Sequence, residues 1–141
     1  MITDLKKVNF NGMPALAIMY ICICINMSDC YFCSPNSWSN CPTGYFLNGL
    51  YRSAGGNVHN IEQATCCKPK TAPERYGLCY KEDVWLAFDY DKTGTVSCSK
   101  PGYYITGLFR SRCDLLYCIE EFLCCSMAGK TTMLEKSHKK H

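Results

Sequence analysis

From Tyr45 the chain alternates between core-type and mixed positions. Tyr45, Leu47, Gly49 and Tyr51 fall on one side of an extended segment, while Asn48, Leu50 and Arg52 fall on the other. A period of two is the mark of a strand that buries one face. The same alternation returns at Tyr103, Ile105, Gly107 and Phe109, with Thr106, Leu108 and Arg110 opposite. After the first segment, Ala54-Gly55-Gly56-Asn57 supplies turn chemistry, and a second strand is predicted to run through Ile61 into Cys66 and Cys67. Val84-Trp-Leu-Ala-Phe88 reads as a further strand, ended by a turn at Asp89-Tyr-Asp-Lys-Thr-Gly94. No segment has a convincing helical period, so the pattern predicts an all-β chain.

The two alternating segments are copies of one unit. A shift of 58 residues aligns 44–67 with 102–125 without a gap, and ten of the 24 positions are identical. GYFLNGLYRS becomes GYYITGLFRS, and Ile61/Ile119, Glu62/Glu120 and both Cys doublets coincide. Cys41 and Cys98 correspond after a one-residue insertion. Each unit is therefore predicted to be a β-hairpin, with repeat one over about 30–78 and repeat two over about 79–127. The matched Gly49 and Gly107 mark a bulge or a close backbone approach.

Thirteen cysteines in 141 residues change the picture from a small β domain to a disulfide scaffold. Cys30-Tyr-Phe-Cys33 is a lone CxxC with no second pair to complete a zinc site, so no metal and no cofactor are expected. Cys113 and Cys118 occur only in repeat two and are expected to bond to each other. Repeat two is left with Cys79, Cys98, Cys124 and Cys125, and repeat one with Cys41, Cys66, Cys67 and one of Cys30 or Cys33. Four cysteines allow three connectivities in each unit. The favoured one bonds Cys41 and Cys98 into their own doublets, with the other doublet member reaching further upstream.

The ends of the chain set its expected compartment. Lys6 and Lys7 precede an apolar run from Met13 to Ile25, too short for a comfortable membrane span and suited to a signal-peptide core. Residues 1–28 are thus expected to be a leader cleaved between Cys24 and Ser28, beside the sequon Asn26-Met27-Ser28. Residues 29–127 would form the disulfide-rich domain, with a Pro-containing connector at 68–78, and 128–141 a basic disordered tail. The net charge of +3 lies largely in that tail, which leaves no basic stripe for nucleic acid.

Candidate chemistry is sparse. Arg52/Arg110 and Glu62/Glu120 are the best-matched ionisable residues, and the preferred reading is a cross-strand ion pair in each hairpin. The functional reading makes Arg52 and Arg110 two equivalent anion or sugar sites. Trp38 and Trp85 stand outside the hairpins and are the best aromatic platforms for a sugar ring or a lipid headgroup. The cluster Asp83, Asp89 and Asp91 lacks the closing Glu of a calcium loop, with Lys100 in its place, and reads as a solvated turn. His59 has no free nucleophile partner, so no enzymatic activity is expected.

The segments Cys79…Trp85-Leu-Ala-Phe-Asp89…Cys98…Tyr104-Ile-Thr-Gly-Leu-Phe-Arg-Ser111…Glu121-Phe-Leu-Cys-Cys125, and Cys41…Gly49-Leu-Tyr-Arg-Ser53…Cys66-Cys67, resemble dermatopontin and its invertebrate relatives. The family's acidic-Arg-x-Trp run before the doublet stands here as Asn60-Ile-Glu-Gln and Cys118-Ile-Glu-Glu. The resemblance covers about residues 30–127 and implies matrix adhesion or recognition of sugars and glycosaminoglycans without catalysis. Taken together, the chain is expected to be a secreted, all-β, disulfide-rich domain of two tandem pseudo-symmetric hairpin repeats. Its expected partners are extracellular glycans or matrix proteins, with a homo-oligomer, disulfide-linked or not, also in view. The alternative is a defence or toxin-type module that docks on membrane surfaces.

Overall fold

The structure, a computed structural model, describes residues 22–27, 32, 34–89 and 91–129. Cys30, Cys33, residues 1–21 and Ser28 of the expected leader, and the tail beyond Gly129 lie outside the described residues. Among the described residues seven strands follow in order: β1 (Cys22–Met27), β2 (Ser37–Asn40), β3 (Phe46–Arg52), β4 (Ile61–Pro69), β5 (Tyr76–Asp83), β6 (Tyr103–Arg110) and β7 (Ile119–Met127). They form two antiparallel sheets, ordered β1-β4-β3 and β2-β6-β7-β5. The fold is all-β and disulfide-rich, and among the described residues no helix is long and apolar enough to cross a membrane.

The predicted hairpins are β3-β4 and β6-β7. Each carries two irregularities at matched places, between Leu47 and Gly49 and between Tyr51 and Arg52 in the first, and between Ile105 and Gly107 and between Phe109 and Arg110 in the second. An extra residue at a bulge flips the alternation, so side chains beyond it change face. Gly44 and Gly102, which open the hairpins, have φ of +88° and +78°, a region that favours glycine.

Each unit has a third strand. β1 pairs with β4 as β5 pairs with β7, and the registers correspond: Cys24 faces Cys67, and Cys79 faces Cys125. The strand of repeat two therefore begins at Tyr76, inside the expected connector. Val84–Phe88 is not a strand. Val84 closes the ladder by donating its N–H to Glu120 O at 2.8 Å, and the chain then turns, with Ala87 and Phe88 both donating to Val84 O. Asp83 Oδ1 accepts from the Trp85 N–H and starts that turn.

The cysteine doublets follow from strand geometry. Adjacent residues of a strand point to opposite faces, so a doublet can bond in two directions. Cys66 and Cys124 take the cysteines that precede their own hairpins, Cys41 and Cys98, with Cα atoms 5.7 and 5.9 Å apart. Cys67 and Cys125 bond to the residues directly opposite on the neighbouring strand, Cys24 and Cys79, each at a Cα separation of 4.1 Å. Cys113 bonds to Cys118. The upstream partner in repeat one is thus Cys24, not Cys30 or Cys33.

The two repeats form one body. Phe32 and Val58 pack with Val84, Leu108, Ile119 and Phe122 in the larger core cluster. Phe46 of β3 sets its ring 5.4 Å from Tyr76 and 5.7 Å from Tyr104. β2 belongs to repeat one in the chain yet pairs with β6 of repeat two, from Ser37 opposite Arg110 to Asn40 opposite Gly107. The next residue, Cys41, still donates to Thr106 O at 2.8 Å while its side chain is bonded to Cys66. Within one residue the chain leaves one sheet and is stapled to the other.

Candidate functional site

β2 brings Trp38 onto the four-stranded sheet. Trp38 is opposite Phe109, Phe109 opposite Glu121, and Glu121 opposite Asp83, so one row crosses all four strands. Directly opposed residues share a face of the sheet. The Trp38 and Phe109 rings are 5.5 Å apart and tilted at 47°. The adjacent row carries Asn40, Gly107, Leu123 and Lys81. Lys81 Nζ lies 5.0 Å from the centre of the Trp38 ring and 3.6 Å from Glu121 Oε2. That carboxylate oxygen is shielded from solvent but accepts no hydrogen bond. An aromatic pair therefore sits among a cation, two carboxylates and an amide on one partly open face. Such a surface suits a ligand with both apolar and hydroxyl faces.

A second carboxylate shows the contrast. Glu82 accepts from the Tyr80 hydroxyl at 2.7 Å, the Ser99 hydroxyl at 2.7 Å and the Ser99 N–H at 3.1 Å. The Ser99 and Tyr80 hydrogen bonds hold its carboxyl below the usual range. These bonds tie the segment after Cys98 to β5, and Lys100 adds a cation 4.3 Å from the Tyr80 ring centre. Glu82 is held by hydrogen bonds, whereas Glu121 Oε2 accepts none and is paired with Lys81.

The remaining sequence candidates separate. The two arginines are not equivalent: Arg52 is exposed at the end of β3, and Arg110 is 6% exposed. Arg110 donates through Nε to Cys113 O at 2.9 Å, through Nη1 to Phe32 O, and pairs through Nη2 with Asp114 at 3.0 Å. Neither forms the expected ion pair with Glu62 or Glu120. The second bulge places Arg52 opposite Ile61 and Arg110 opposite Ile119, so the adjacent glutamates face the other way. Trp85 is 49% exposed and follows Asp83 at the end of the Trp38 row. Among the described residues no three metal-ligating side chains come together, and in the turn after Asp89, expected to be solvated, Lys92 and Asp91 form an ion pair at 3.7 Å.

Lys81 and Glu121 escaped the sequence reading. Their positions are unmatched between the repeats, where Gln63 stands for Glu121, and only the register of β5 on β7 places them beside Trp38. Comparison with protein families, with curated proteins and with solved structures finds no match for this chain.

Proposed function

We propose that this chain is an extracellular binding protein of the adhesion type that recognises carbohydrate on the Trp38 face of its four-stranded sheet. The observation that carries the reading is the Trp38–Phe109 pair flanked by Lys81 and Glu121. A pyranose ring offers one apolar face to an aromatic platform and hydroxyls at its rim to charged and amide groups. The density of disulfides fits an oxidising compartment, and the dermatopontin resemblance points to the same class of ligand. A secretory leader compatible with β1 is cleaved ahead of Cys22, not between Cys24 and Ser28. On a glycan array that includes heparin fragments, the purified protein should bind a restricted set. Trp38→Ala should weaken that binding at least about tenfold, the loss of roughly 1.4 kcal/mol, while Trp85→Ala leaves it within about threefold. No binding across the array, or equal loss in both variants, would remove the proposal.

A second reading has its own observation. Leu115, Leu116 and Tyr117 at the end of the β6-β7 hairpin are exposed, as are Trp85 and Leu86, and Leu116 and Tyr117 share a groove with Ala87 and Phe88. Large apolar side chains in such numbers favour contact with a membrane surface. Flotation with anionic vesicles that is lost in Leu115→Asp/Leu116→Asp would favour this reading.

A further inference from the structure

Repeat one has an edge that repeat two covers. In the four-stranded sheet β2 lies along β6, and the Asn40 side chain occupies the space into which a Cβ on Gly107 would project. β3 is the counterpart of β6. It pairs with β4 on one side and, among the described residues, with no strand on the other. Leu50 and Tyr51 are 43% and 56% exposed, whereas Leu108, the counterpart of Leu50, is 4% exposed. Gly49 is the counterpart of Gly107, yet a Cβ there would meet only Thr65 Cβ, at 4.0 Å. The clearance that lets Asn40 approach β6 is thus retained on β3, and none of the described residues uses it.

The strand that fits is named by the repeat. Cys98 corresponds to Cys41 and is bonded to its doublet in the same way, so residues 94–97 are the counterpart of β2. These residues form no ladder and make no backbone hydrogen bond among the described residues. Thr95 and Val96 suit a strand. β2 itself shows that the residues ahead of this cysteine leave their own repeat to pair with a following one. We infer that two copies of this chain associate by strand addition, residues 94–97 of one pairing antiparallel with 49–52 of the other. Val96 of one copy then lies opposite Leu50 of the other, as Ser39 lies opposite Leu108 within one chain. Backbone hydrogen bonds hold the contact and remove an exposed sheet edge. Because donor and acceptor are different surfaces, the contact is heterologous.

Two variants separate donor from acceptor. Gly49→Val puts a Cβ into the clearance 4.0 Å from Thr65 Cβ, and Val96→Pro removes a donor N–H that makes no backbone hydrogen bond among the described residues. Mass would be measured by light scattering across a concentration series of the full disulfide-bonded chain, with circular dichroism and disulfide maps as folding controls. The wild-type mass is expected to rise with concentration, each variant to stay monomeric, and their equimolar mixture to form a one-to-one pair. A wild-type chain that stays monomeric overturns the inference, as does Gly49→Val associating like wild type. A mixture of two folded variants that fails to pair does the same. If Val96→Pro misfolds, the Gly49→Val comparison decides alone.

Discussion

Asp114 joins the two repeats at their hairpin ends. Its carboxylate accepts from the His59 N–H at 3.0 Å, contacts His59 Nδ1 and pairs with the buried Arg110, while its backbone O accepts from the Val58 N–H at 3.0 Å. Burial on its own would raise the Asp114 carboxyl. The hydrogen bonds from the His59 side chain and backbone, with the Arg110 and His59 charges, outweigh it and hold the group below 3.8. A carboxyl lowered in the folded state adds stability that is complete above its unfolded value and is lost as pH falls through the lower folded value. Asp114→Asn should therefore cost about 1–3 kcal/mol at neutral pH, and its gap to wild type should narrow as pH falls through the folded value of Asp114. Urea titrations of both proteins at pH 7 and pH 2.5 test this, and an equal gap at both values would contradict it.

At the scale of elements, β1 decides how repeat one is closed. Its Cys24 faces Cys67 in the register that places Cys79 opposite Cys125. Non-reducing peptide maps of secreted protein should show Cys24 joined to Cys67. A map that joins Cys67 to Cys30 or Cys33 would contradict this register. The hairpins were legible because alternation, turn residues and two aligned copies agreed, and the private Cys113–Cys118 bond followed from its absence in the other copy. β1 was hidden because its unbroken apolar run Ile21-Cys-Ile-Cys-Ile25 has the same composition as a leader core. β5 was hidden because it begins three residues after Pro73, and its pairing is fixed by a disulfide between residues 46 apart, which no local pattern reports. β2 has four residues, and its crossing to the other repeat is a tertiary choice. Of the candidate site, Trp38 was visible as an aromatic outside the hairpins. Phe109 was assigned to the core by alternation alone, and Lys81 and Glu121 depended on the register of β5.

At the scale of the molecule, a short strand carries both the union of the repeats and the proposed ligand surface. β2 closes the edge of β6 and delivers Trp38 to the row that ends at Asp83, so binding and folding share one element. Among the described residues the β1-β4-β3 sheet has no equivalent strand and no equivalent row, which makes the two faces different despite their matched sequences. Strand addition between copies would then set more than one Trp38 face in a single assembly, the arrangement that cross-linking of glycans needs. The chain has two tryptophans, and Trp85→Phe leaves Trp38 as the sole indole reporter. Titrating that variant with the best array glycan should change its emission and saturate at the midpoint measured by direct binding. Saturable binding that leaves the Trp38 emission unchanged would contradict the account.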